Sequence, residues 1–369
     1  SRVQPMASTA RVRSVDILRG AVMVLMAIDH VRVYSGLPAG GPDPGIFFTR
    51  WVTHFCAPAF VFFAGTSAFL YGKKVSKATL SKYLLSRGLL LVLLELTLIR
   101  FSWTFNFDYS KFVLAGVIWM IGWCMVLMAA LIWLRPAVAG VIGLLIIFFQ
   151  DVFGKVSFGP LWEFIYPAGG EGIPGITILY VLVPWIGVMA AGYGFGMIVR
   201  NKKACLIIGL SAIAAFLIVG SIVVSKNGPG DGAPPFIFQL LNQRKYPASQ
   251  LFLLMTLGPV IALTPFAEKA RGWLADVLAI FGKVPFFYYV LHIPLIHVSA
   301  IILNEILGIS GYAQFYASAP YVGMPPELRW HLWMLYLVYV IDVVILYVLC
   351  RWYVGYKFAH PDKKWLRYL

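Results

Sequence analysis

Apolar residues in this chain run in long blocks. They show neither the strict alternation of a strand nor the narrow stripe of a surface helix. Leu89–Ile99 is interrupted only by Glu95, and Phe112–Trp133 and Ala204–Val224 are almost wholly apolar. Such blocks approach the ~20 residues that cross a bilayer core. By run length they predict about ten spans, near 14–34, 50–72, 84–103, 112–133, 136–153, 177–199, 204–225, 249–266, 277–304 and 331–354. These are too many for one signal peptide, and no small-residue cleavage site follows the first. The expected fold class is all-α, a polytopic integral membrane protein in which residues 11–369 form a single transmembrane domain. Ser1–Pro5 precede Met6, and residues 1–10 read as a tag remnant or disordered N-terminus.

Composition agrees. Hydrophobic residues make up 60% of the 369 and charged residues 12%, where a soluble domain carries about 25% charged. A net charge of +15 on a soluble protein would suggest nucleic acid. Here the basic residues fall in alternate loops, so the expected partner is a lipid bilayer and not nucleic acid. Arg11 and Arg13 precede the first span. Lys73, Lys74, Lys77, Lys82 and Arg87 follow the second. Arg200, Lys202 and Lys203 lie between the sixth and seventh, Lys269 and Arg271 between the eighth and ninth, and Lys357, Lys363, Lys364 and Arg367 after the last. The opposite loops hold Asp43, Asp108, Asp151, Glu163, Glu171, Asp231, Glu305 and Glu327. The positive-inside rule then puts both termini in the cytoplasm. Cys56, Cys124, Cys205 and Cys350 lie within or at the end of apolar runs and read as small buried hydrophobes.

Ionisable residues inside spans are expensive and therefore functional candidates. The first span holds Asp16, Arg19, Asp29, His30 and Arg32. Arg19 and His30 are eleven residues apart, close to three helical turns, so they share a face and lie about 16 Å apart along the axis. Met23 and Met26 fall between them on that face. One reading is a tunnel with a phosphate-binding arginine at one end and a catalytic base at the other. The other is a packed seam in which Arg19 snorkels and His30 bonds a neighbouring helix. His54, with Arg50 one turn above it, and His292 map to a similar depth; His297, His331 and the tail residue His360 read as structural or solvated. Proton transfer and structural hydrogen bonding both suit such a cluster. No HExxH or paired-cysteine spacing is present, so no metal is expected. Asn242–Ser249 adds Lys245, Tyr246 and Ser249, donors for a polar or anionic acceptor or else anchors at the membrane interface. Trp162 and Tyr166, in the long loop Phe153–Gly175, could stack a sugar ring or sit at the interface.

Five blocks carry a family resemblance. Ser14-Val-Asp16-Ile-Leu-Arg19-Gly20, ending in Asp29-His30, resembles the first helix of the transmembrane acyltransferases, whose signature is an arginine, ten residues and a histidine. Thr49–Gly65, Val183–Tyr193, Lys245–Ser249 and Gly282–His292 follow in order and are similar to bacterial relatives of heparan-alpha-glucosaminide N-acetyltransferase. The resemblance implies a membrane-bound acyltransferase. It would move an acetyl group from cytoplasmic acetyl-CoA, its acyl donor co-substrate, to an amine or hydroxyl of a sugar or glycan on the outer face. It would lie in the bacterial cytoplasmic membrane, with assembly, homodimer included, left open. His30 aligns with an asparagine of the human enzyme, whose active-site histidine falls in the following loop. That loop here, Val33–Phe48, has no histidine, so heparan chemistry is not carried over and the base is assigned to His30.

Acyl transfer needs a base near neutral pH, which histidine supplies. The expected catalytic residues are His30, Asp29, His54 and His292. Arg19, Arg87 and Lys283 are expected to hold CoA phosphates, and Arg50, Lys245, Tyr246 and Ser249 the acceptor. Asp29 adjoins His30, yet neighbouring helix positions point about 100° apart, so it orients His30 only if the helix unwinds, or else serves another partner. Two other readings stay open: a proton-coupled transporter or flippase using His30, His54 and His292 as a relay, and a membrane scaffold.

Overall fold

The computed structural model describes residues 11–168, 170–171, 173–228, 230, 232–318, 320–321 and 323–368. The tag remnant expected at residues 1–10 and the outer carboxylate expected at Asp231 lie outside the described residues.

The chain is helical, as its apolar blocks require. Helix α1 (Arg13–Ser35) ends where Gly36 turns left-handed at φ 78°, a conformation glycine takes without a Cβ clash. Helix α2 (Pro44–Trp51) starts where the Asp43 side chain accepts from the amides of Gly45 and Ile46, with Pro44 in the first turn. A 3₁₀ turn, Val52–Phe55, joins it to α3 (Cys56–Gly72). The second span therefore begins at Pro44, earlier than the expected residue 50. Helix α4 (Lys77–Leu94) is capped by Ser76. It continues through a π-helical turn, Glu95–Ile99, into the short helix Arg100–Thr104. Glu95, the one charge in that run, accepts the Trp119 amide at 3.0 Å and so satisfies the first turn of α5 (Val117–Leu131).

Beyond α6 (Pro136–Phe148), a two-stranded parallel sheet pairs β1 (Leu114–Ala115) with β2 (Thr177–Ile178). It leads into α7 (Leu182–Phe195). Then come α8 (Lys202–Asn227) and α9 (Gln250–Lys269). The expected ninth span, 277–304, is not one helix. It divides into α10 (Trp273–Lys283) and α11 (Pro285–Ile306), broken at Val284 with φ −133° and ψ 54°. The physical reason is Pro285. A proline ring pushes the residue before it out of the helical region and favours the first position of a new helix. Helix α12 (Leu332–Ala359) closes the fold.

Helix α1 is the central post, packed by α3, α9, α10, α11 and α12. It crosses α10 at glycines. A Cβ on Gly20 would fall 1.8 Å from the Leu278 carbonyl oxygen, and one on Gly282 would fall 1.6 Å from that of Asp16. Only a hydrogen fits at either place, as in the small-residue contacts of membrane helices. The periphery is the reverse: Ile207, Leu210 and Ile218 of α8 and Val344 and Val348 of α12 are exposed, an apolar surface suited to lipid. Among the described residues five helices are long and apolar enough to cross a membrane: Pro44–Gly72, Lys202–Asn227, Gln250–Lys269, Pro285–Ile306 and Leu332–Ala359. Helices α5, α6 and α7 are apolar but shorter, and α1 carries the charges that form the site.

Candidate active site

A cavity of about 510 Å³ opens beside α1. Six basic residues surround its mouth: Arg11, Arg19, Lys74, Arg87, Lys283 and Lys357. Chain order scatters them, and the fold gathers them because the ends of α1, α3, α10 and α12, the middle of α4 and the first turns of α11 lie together. Inward, the wall turns apolar, with Met23, Met26, Cys56, Met125 and Tyr289. Two of the guanidiniums keep donors open. Arg19 donates through Nη2 to Asp16 at 3.1 Å and Arg87 through Nη1 to the Tyr83 hydroxyl at 2.8 Å. The buried Nε of each has no hydrogen-bond partner among the described residues. All three expected phosphate ligands, Arg19, Arg87 and Lys283, lie here. Lys73, Arg200, Lys202 and Lys203 do not line the cavity. Lys357 was not foreseen as part of the site, since nothing in the sequence tells that the last helix returns to this mouth.

The cavity reaches Met26 and Tyr289, one turn of α1 below His30. His30 Nδ1 lies 2.6 Å from His292 Nε2, and His292 Nδ1 lies 2.5 Å from the Tyr289 carbonyl oxygen. A carbonyl only accepts, so His292 carries its proton on Nδ1 and presents the Nε2 lone pair. His30 then donates from Nδ1, which leaves His30 Nε2 as the unprotonated nitrogen. The chain of bonds holds the His30 ring in one tautomer and one orientation. Trp103 stands edge-on to the ring, with centroids 5.2 Å apart. Its carbonyl accepts from the buried Tyr34 hydroxyl at 2.7 Å, which ties that wall to α1.

Asp29 faces away from His30. Helix α1 runs unbroken through both residues, so Asp29 serves other partners. Its Oδ1 accepts from Arg32 Nε at 2.8 Å and its Oδ2 from Arg50 Nη1 at 3.1 Å. Arg50 Nη2 also donates to the Tyr246 hydroxyl at 3.0 Å, and Arg32 Nη1 to the Leu37 carbonyl at 2.8 Å. Of the two settings expected for Asp29, the unbroken helix gives the second, other partners than His30, in an ion-paired frame that includes Arg50 and Tyr246. In the loop before α9, burial lowers the Lys245 ammonium below its usual range. Burial would raise the neighbouring Tyr246 phenol, but Lys245 and Arg50 together pull it down to about 8.

The other expected residues divide. His54 is buried against Phe252, with ring centroids 5.4 Å apart. Its Nδ1 has no hydrogen-bond partner among the described residues, and no bond joins it to the His30–His292 pair. Ser249 is the cap of α9, where its hydroxyl oxygen accepts the Phe252 amide at 3.1 Å. His297 bonds the Ser102 carbonyl at 2.9 Å and stacks on Phe105 at 3.7 Å, a structural setting. Trp162 donates to the Phe153 carbonyl at 3.0 Å and Tyr166 is buried. Among the described residues no group of three His, Cys, Asp or Glu side chains could hold a metal ion.

A basic mouth, a methionine-lined wall and a hydrogen-bonded histidine pair thus follow one another along α1. No curated protein matches the chain. The catalytic family of heparan-alpha-glucosaminide N-acetyltransferase matches residues 11–224. Three of the five blocks of resemblance lie within that stretch, while Lys245–Ser249 and Gly282–His292 lie beyond it and are joined to it by His292 on His30 and Tyr246 on Arg50. This multi-pass membrane protein belongs to the heparan-alpha-glucosaminide N-acetyltransferase catalytic family, and with it to the membrane acetyltransferases.

Proposed function

We propose that residues 11–369 form one catalytic unit that transfers an acetyl group from acetyl-CoA, bound at the cytoplasmic face, to an amine or hydroxyl of a sugar on the outer face. One observation carries the reading. A single helix, α1, lines a cavity with Arg19 at its basic mouth and Met23 and Met26 along its wall, then presents His30 one turn further on. Acetyl-CoA has the same order of chemistry: phosphates, a thin pantetheine arm and a thioester. Cations clustered at one end of the bundle also support a cytoplasmic mouth. Helices α1, α3–α9, α11 and α12 then serve as the ten crossings, with α10 at the inner surface and both termini inside. In a bacterial cell this is the cytoplasmic membrane.

The chemistry follows from the histidine pair. His30 Nε2 accepts the proton of the attacking N–H or O–H. The freed nitrogen or oxygen adds to the thioester carbonyl, the carbon–sulfur bond breaks, and the proton passes from Nε2 to the departing sulfur. Protons balance, and the products are the acetylated sugar and free CoA. His292 acts through His30 as a positioning residue. While protonated, His30 still donates to His292 Nε2, so the pair accommodates the charge without rearrangement.

The test is acetyl-CoA turnover by the purified protein in detergent, with a panel of amino sugars and neutral glycans, beside His30→Ala. Acceptor-dependent release of free CoA that disappears in the variant is the expected result. Failure of acetyl-CoA to bind or turn over under every condition would overturn the proposal.

A further inference from the structure

Beyond His30 two buried cations, Arg32 and Lys245, and a half-buried one, Arg50, gather around one carboxylate. Asp29 is shared by Arg32 and Arg50, which leaves Lys245 without a counter-ion. Lys245 is only 9% exposed, and among the described residues it pairs with no carboxylate. Its Nζ lies 5.8 Å from the ring centroid of Tyr180 and 5.5 Å from that of Tyr246. Contacts at that range replace little of the hydration an ammonium loses on burial. His54 is a second unsatisfied group of the same cluster. It is 6% exposed, its Nδ1 is unpartnered among the described residues, and Lys245 and Arg50 lie within electrostatic range of it. The Tyr246 phenol beside Lys245 is drawn towards ionisation by the two cations. A buried cluster with surplus positive charge and open donors is stabilised by an anion that fills it.

We propose that the Lys245–Arg50–His54 cluster binds an anionic group carried by the acceptor sugar, a carboxylate, sulfate or phosphate ester near the amine or hydroxyl that is acetylated. The word acceptor rests on the acyltransferase reading; the anion site itself does not. Arg50 is bonded to Asp29, the residue before His30, so an anion held there would bring its sugar towards the base. Arg50 is braced by Asp29 and Tyr246 and is already partly compensated. Lys245 is therefore the cation that discriminates a charged acceptor from a neutral one.

The experiment is equilibrium binding of glucosamine 6-sulfate, glucosamine, glucuronate and inorganic sulfate to the full chain in neutral detergent, with acetyl-CoA binding measured on the same preparation. The sulfated sugar is expected to bind on the order of tenfold more tightly than glucosamine. That advantage should vanish in Lys245→Met and persist in Lys245→Arg, with acetyl-CoA affinity, read at the other end of the protein, reporting that both variants are folded. Equal binding of the two sugars by the wild-type chain, or no binding of any anion, would overturn the inference even if one variant did not fold. Displacement by phosphatidylglycerol with no preference between sugars would assign Lys245 to a lipid headgroup and equally overturn it. Acetyl-CoA binding without anion preference leaves the acyltransferase reading standing and removes this one. Anion preference without acetyl-CoA binding does the opposite.

Discussion

Arg19 and Arg32 lie near opposite ends of the same helix, and their surroundings differ. Arg19 shares Asp16 with Arg11, leaves its Nε unpartnered among the described residues and lines a cavity. Arg32 is closed in by Asp29 and the Leu37 carbonyl, and Asp29 is closed in turn by Arg50. The cations at the cavity mouth keep donors open towards the cavity. Those beyond His30 are tied into the protein, with Lys245 as the exception. A buried ion pair gives little net stability while intact, but losing one partner leaves the other stranded. An open pair at a cavity mouth has no such liability, so substitutions at the two ends should report on different properties.

The largest effect lies between the two regions. His30→Ala removes the base and should lower kcat by ~10²–10⁴-fold in steady-state kinetics, with acetyl-CoA affinity kept. Next is the frame beyond His30: Asp29→Ala strands Arg32 and Arg50 and should destabilise the fold by about 3–5 kcal/mol, seen as a lowered unfolding temperature. At the mouth, Arg19→Ala should weaken acetyl-CoA binding by roughly tenfold, about the worth of one charged hydrogen bond, with unfolding temperature little changed and the loss larger at low salt. If Arg19→Ala unfolded the protein as Asp29→Ala does, the two ends would not differ in kind.

The smallest effect sharpens the outer region. The Tyr246 phenol sits at about 8, against an ordinary value of 10.0, so the folded state binds fewer protons than the unfolded state between those values. Stability from this group therefore rises with pH from 8 towards 10 and is lost as pH falls through 8. Lys245, lowered by burial, contributes with the same sign. Unfolding temperatures across that range should rise for the wild-type protein relative to Tyr246→Phe.

Much of this was legible beforehand and some was not. Run length marked the long apolar helices because a bilayer imposes that length locally. The Arg19–His30 face was legible because helical period is local as well. The break at Val284 had its signal in Pro285, and the early start of α2 had one in Asp43-Pro44, but an apolar run and a glycine-rich turn hid them. The partner of His30 could not be read, because His292 is 262 residues away and reaches it only through the packing of α11 on α1. Asp29 was legible in part: the 100° turn between neighbouring helix positions already pointed to another partner, but Arg50 could not be read because it lies on a different helix. Lys357 is likewise visible only once α12 has folded back to the cavity mouth.

The central claim is directional: donor enters at the Arg19 end of α1 and the acceptor reacts beyond His30. The most direct measurement places the protein, in known orientation, in sealed vesicles with acetyl-CoA on one side and acceptor on the other. The account predicts free CoA on the side of the Arg19 mouth and acetylated acceptor on the opposite side, with no product when both substrates are confined to the His30 side. Equal turnover with both substrates confined to one side, whichever side that is, would contradict it.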